Sequence, residues 1–79
     1  MNKRRRTAIE KLICELEAWR DQIGEVAEEE QNAFDNLPES LQGSEQGELM
    51  EDNAYALQEA YDNIDNVIMD LNNMLENNY

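Results

Sequence analysis

Apolar residues recur at intervals of seven on both sides of the chain's single proline, Pro38. Before it, Ile9, Leu16 and Ile23 form one row, and Leu12, Trp19, Val26 and Ala33 form a second row three residues on. After it, Met50, Leu57, Ile64 and Leu71 form the first row, and Ala60, Val67 and Met74 the second. With these rows lettered a and d, the pattern is the heptad of left-handed coiled-coil packing. It predicts an all-α chain: an antiparallel two-helix hairpin, coiled-coil-like, in one domain over 1–79. The helices are expected over about 4–36 and 45–76, with the turn at about 37–44.

The turn has its own chemistry. A residue before proline avoids the helical region, so Leu37 ends the first helix near Asn36. Ser44 is placed to cap the second helix, with Glu45 and Glu48 in its first turn, where the helix dipole favours acids. Gly24 sits inside the first helix at a cost of about 1 kcal/mol relative to Ala, which marks it as a point where another backbone approaches. Asn72–Asn73 and Asn77–Asn78 are weak helix formers, and fraying is expected there.

Folding the chain at the turn suggests a register in which residues i and j face each other when i + j = 83. Ile9 then meets Met74, Leu12 meets Leu71, Leu16 meets Val67, Trp19 meets Ile64 and Val26 meets Leu57. The same register sets Glu30, at a, against Asn53, at d, as a matched polar pair that fixes alignment at some cost in stability. Position e is also largely apolar, with Ile13, Ala27 and Phe34 in the first helix and Ala54, Tyr61, Ile68 and Leu75 in the second. An a/d/e stripe is broader than one hairpin seam can cover. The expectation is therefore that hairpins pack their e faces together into a four-helix bundle or a higher homo-oligomer.

Size argues the same way. A chain of 79 residues rarely builds a sufficient core without disulfides, a metal or oligomerisation. The lone Cys14 allows no disulfide, and with no histidine there is no Cys/His zinc site. No cofactor or metal is expected. Neither a P-loop nor a Rossmann glycine fingerprint is present. There is no apolar run long enough to span a bilayer, and Lys3–Arg6 is not followed by the apolar core of a signal peptide. These features, with the free cysteine, point to a cytoplasmic protein with no membrane partner.

Charge is segregated. The net charge is −13, yet Lys3, Arg4, Arg5 and Arg6 make a basic tip. Beyond it only Lys11 and Arg20 oppose nineteen acids, a net of −17 over 7–79. Such a body repels nucleic acid directly, and it either solubilises the chain or imitates DNA phosphate toward a basic groove. In a hairpin the basic tip lies beside the C-terminal end of the second helix, whose dipole favours cations.

Catalysis finds no site in the pattern. Glu25-x-x-Glu28 and Glu59-x-x-Asp62 superficially resemble the metal-binding carboxylates of all-α nucleotide pyrophosphohydrolases, but they fall at c and f, on outer faces. Cys14 falls at f, next to Glu15, where nothing favours its thiolate. The chain is expected not to be an enzyme.

Binding has candidates. A nucleotide needs cationic donors near a flat apolar slot. Arg20 and Arg4, Arg5 and Arg6 are the candidate phosphate ligands, and Trp19, Tyr61 and Tyr79 the candidate stacking partners. Arg20 is the one charged e position, and it is expected at the rim of the contact between hairpins, beside Trp19. Trp19 itself reads first as core filling at d.

The phrase Phe34-Asp35-Asn36-Leu37-Pro38-Glu39-Ser40-Leu41-Gln42, within an acidic helix–turn–helix, resembles a group of short uncharacterised proteins from phages and prophages of Gram-positive bacteria. The resemblance extends over most of the chain and brings no catalytic motif with it. It implies a counter-defence role in the host cytoplasm. One form is a homo-oligomer that sequesters a nucleotide immune signal in pockets between subunits. Another is an acidic inhibitor of a host defence nuclease, anti-CRISPR or anti-restriction. A purely structural helical assembly protein is the third reading.

Overall fold

The structure is a computed structural model that describes residues 1–78, and it is all-helical, with no strand among them. Helix α1 runs Lys3–Asp35, a single helical turn α2 runs Glu39–Gln42, and α3 runs Glu45–Glu76. The ends follow from side chains. Asn2 Oδ1 accepts from the backbone N–H of Arg5 at 2.9 Å, and Asn36 closes α1 by donating its N–H to Asn32 O at 3.0 Å. Ser44 caps α3, its Oγ accepting from Gly47 N–H at 3.2 Å and donating to Leu41 O. The helix continues through Asn72–Asn73. At its end Asn78 Nδ2 donates to Met74 O at 2.7 Å, satisfying one of the last free carbonyls.

Helix α3 returns alongside α1. Met1 ammonium donates to Asn78 Oδ1 at 3.1 Å, so the basic tip stands beside the C-terminal end of α3. There it offsets the negative end of that helix, which has no basic residue in its own last turn. The molecule is a rod of 59 × 15 × 13 Å. Among the described residues, no helix is long and apolar enough to cross a membrane.

The seam between α1 and α3 is not the one the heptad lettering predicts. The buried apolar residues are Ile13, Ala27, Ala54, Ile68 and Leu75, all at position e. Ile13, Ile68 and Leu75 form the core, with Ile9, Leu16, Ile64, Leu71 and Met74 packed against it. Four d residues stand outside, Leu12 at 51% exposed, Trp19 56%, Val26 49% and Val67 46%, while Met74, at the end of the row, packs against the core. The a and e rows thus face the partner helix, and d, not e, is the outward apolar row. Rows a and e alternate in steps of three and four just as a and d do, so either seam satisfies the period.

What separates the two seams is polar burial. An a/d seam encloses Asn53 against the Glu30 carboxylate. The a/e seam leaves Asn53 in solvent and takes in Arg20, which brings its own counter-ions. The Glu30–Asn53 pairing is therefore corrected: the register is not fixed by those two residues. The cross-helix contacts of Arg20 run to Tyr61 and to Asp65, on either side of the residue that i + j = 83 would have placed opposite it.

Two glycines are explained by close approach. A Cβ on Gly24 would lie 3.1 Å from the ring of Tyr61, so the near neighbour is a side chain rather than the backbone expected. Gly47 is buried, and a Cβ there would press on backbone carbonyls of the turn, 2.6 Å from Leu41 O. Gln42 Nε2 holds the turn from the other side, donating to Phe34 O at 3.4 Å and Leu37 O at 3.3 Å.

Candidate functional site

Arg20 is a charged side chain held by contacts along its own helix and across the seam. It lies at an e position of α1, so its stem enters the seam and leaves the side chain only 19% exposed. Nη1 donates to Asp65 Oδ1 at 2.8 Å across the seam, and Nε donates to Asp21 Oδ1 at 3.1 Å along α1. The guanidinium carbon stands 5.7 Å from the Tyr61 ring centroid, within cation–π range. The hydrogen bond with Asp21 foremost, and that with Asp65, hold the guanidinium above its already high pKa against the loss of water around it. A raised pKa means the pairing is fully present below the unfolded value and lost only as pH climbs through the folded one. The arrangement is thus constant over the ordinary range.

The binding candidates do not converge. Arg20 and Tyr61 are brought together, but the donors of Arg20 are directed at carboxylates. Tyr61 lies against Gly24 on one side of the seam. Trp19, at d, is on the other side and exposed, so the two rings cannot sandwich one base. Trp19 is neither core filling nor a partner of Tyr61. Arg4, Arg5 and Arg6 are about four helical turns away, Arg5 being roughly 22 Å from Arg20 along α1 at 1.5 Å per residue. Arg6 Nη1 donates to Met1 O at 2.9 Å. Tyr79 lies outside the described residues. Asp21 and Asp65 are the partners that sequence reasoning did not assign. Their signal was present, since Arg20 has an acid next to it in the sequence and an acid-rich helix across the seam.

An open groove of about 920 Å³ runs along the flank on the Gly24 side. Its walls include Asp21, Glu25, Glu28 and Glu51, with Tyr55 and Tyr61, and no Lys or Arg. Phosphate entering it meets four carboxylates and no cation. Glu25 and Glu28 share this wall, whereas Glu59 and Asp62 are not part of it. Among the described residues no group of three His, Cys, Asp or Glu side chains is arranged to hold a metal ion. Cys14 is exposed and unpaired with any sulfur.

No protein-family model, curated protein or solved structure matches the chain.

Proposed function

We propose that this chain is a non-enzymatic binding protein, an antiparallel helical hairpin that assembles into a four-helix bundle or a higher homo-oligomer. In the phage context its sequence resembles, it acts in the host cytoplasm as a counter-defence inhibitor. Its acidic flank occupies the basic, DNA-binding groove of a defence nuclease. The observation that carries this reading is the groove along Asp21, Glu25, Glu28 and Glu51, a carboxylate-walled surface with no cation in its lining. Complementary potential steers such an encounter and sets its salt dependence.

The signal-sequestering reading has less support. It leans on Arg20, whose donors already serve Asp21 and Asp65, and on rings that lie on opposite sides of the seam. One experiment separates the two. Titration against a panel of host defence nucleases is expected to give a complex that weakens steeply with salt and competes with DNA. Absence of any complex, together with heat on titrating cyclic dinucleotides or ADP-ribose-type signals, would replace this reading with sequestration.

A further inference from the structure

The side of the rod opposite the acidic groove carries an apolar row on each helix. On α1 the row is Leu12, Trp19 and Val26, and on α3 it is Ala60, Val67 and Met74. Because the two helices are antiparallel, their d positions fall on the same side of the seam and make one face. Four of the exposed large hydrophobic residues lie on it, namely Leu12, Trp19, Val26 and Val67.

We infer that this face is the contact with a second copy of the chain, packed face to face so that α1 of one protomer lies over α3 of its partner with both turns at the same end. The inference deepens the assembly part of the proposed function and rests on it. It is independent of what the acidic flank binds.

Three observations select a second copy as the occupant. The first is charge. Two copies that each carry −13 can approach closely only where acids are sparse. Of the nineteen acids, positions d and g hold three, Glu15, Glu29 and Asp70, whereas b and f, on the groove side, hold ten. The second is size. One long face of a rod 59 Å by 15 Å is on the order of 800 Å², the area each partner gives to a standard stable interface. The core within one chain is thin: among the described residues five hydrophobic residues are buried and no large side chain is fully enclosed. Burial of the d face supplies what the single hairpin lacks.

The third is shape, and it fixes the orientation. The α1 row is bulky and the α3 row starts small, with Asn53 and Ala60. At the levels set by the cross-helix contacts, Leu12, Trp19 and Val26 each fall midway between successive d residues of α3. With α1 over the partner's α3 and no axial shift, Trp19 enters the hollow between the partner's Ala60 and the partner's Val67. Laying α1 over the partner's α1 instead sets the bulky rows against each other and leaves the small rows apart. Packing complementarity favours the first arrangement.

Trp19 is the chain's only tryptophan, so it reports the contact directly. In sedimentation and fluorescence of the full chain, the expected result is a dimer or dimer multiple with blue-shifted Trp19 emission. Dilution should move the emission to the red as the sedimentation coefficient falls. V67E should abolish both behaviours, while M69E, on the groove side, should leave them intact. A monomer at every concentration would overturn the assembly and this inference together. An oligomer untouched by V67E, with solvent-like Trp19 emission, would overturn the face and leave assembly standing. For orientation, spin labels on A33C in a C14S background should lie close together. In the opposite-end arrangement they would be separated by roughly 40 Å, from 1.5 Å per residue of helix either side of Trp19, and that distance would overturn the same-end packing.

Discussion

The two halves of the α1–α3 contact are built from different material. Toward the termini, Ile9, Ile13 and Leu16 pack with Ile64, Ile68, Leu71, Met74 and Leu75. Toward the turn the buried residues are Ala27 and Ala54, with Gly47 packed on the α2 turn. Arg20 and Asp65 stand between the halves. Near the turn, short connections and local hydrogen bonds hold the helices close, and small residues permit the approach. Far from the turn, contacts such as Ile13 with Ile68 join distant parts of the chain, and a large loss of chain entropy must be offset there. Bulk aliphatic burial sits where that cost is highest.

The comparison can be broken most directly at its terminal half. Ile68→Ala removes volume from the core cluster and should cost about 3 kcal/mol in chemical denaturation. Ala54→Gly, at the turn half, should cost about 1 kcal/mol, mostly from backbone freedom. Equal losses would mean that the halves are not different in kind.

Next in size is the turn itself. Gly47→Ala drives a Cβ onto backbone carbonyls that cannot swing away, 2.6 Å from Leu41 O. The expected loss is about 1–3 kcal/mol, the range of overpacking, despite the helix propensity gained. A neutral result by thermal melting would mean that α2 is free to move off α3. Ser44→Ala removes the cap of α3 and should cost about 1 kcal/mol.

Gly24→Ala sharpens the comparison from the middle of the molecule. The new Cβ would sit 3.1 Å from the Tyr61 ring, a flexible neighbour able to give way. Relief of the glycine penalty, about 1 kcal/mol, then roughly balances the displacement, and stability should change little. The variant's signature is instead a changed Tyr61 environment, read from the ring's NMR shifts, because the ring also faces Arg20.

Much of this architecture is legible in the sequence, and the illegible part has a specific cause. Pro38 and Ser44 mark the helix ends because their chemistry is local: a steric restriction and a hydroxyl cap. The seam is not local. With a, d and e all apolar, two seams share the same alternation, and hydrophobicity alone does not choose between them. The choice turns on Asn53, better left in water, and on Arg20, tolerable in the seam only because Asp21 and Asp65 accompany it. Placing row e outside the seam made Arg20 a candidate phosphate ligand at a subunit rim, whereas row e lies inside the seam and brings Arg20 to Asp65. Trp19 was placed wrongly for the same reason, since one step from d to e decides whether a side chain faces the other helix or the outside. Gly24 and Ala27, small residues beside or in row e of α1, were the signal that this row is where the helices come closest.

The central claim is that rows a and e face between α1 and α3 and leave Leu12, Trp19, Val26 and Val67 of row d outside. Methyl-labelled NMR on the V67E chain, in which contacts between copies are expected to be removed, tests it within one molecule. The account predicts strong through-space contacts between the Ile13 and Ile68 methyls, with Leu12 and Val26 methyls exposed to solvent relaxation agents. Strong contacts from Leu12 to Leu71 and from Val26 to Leu57, with Ile13 and Ile68 exposed instead, would contradict it.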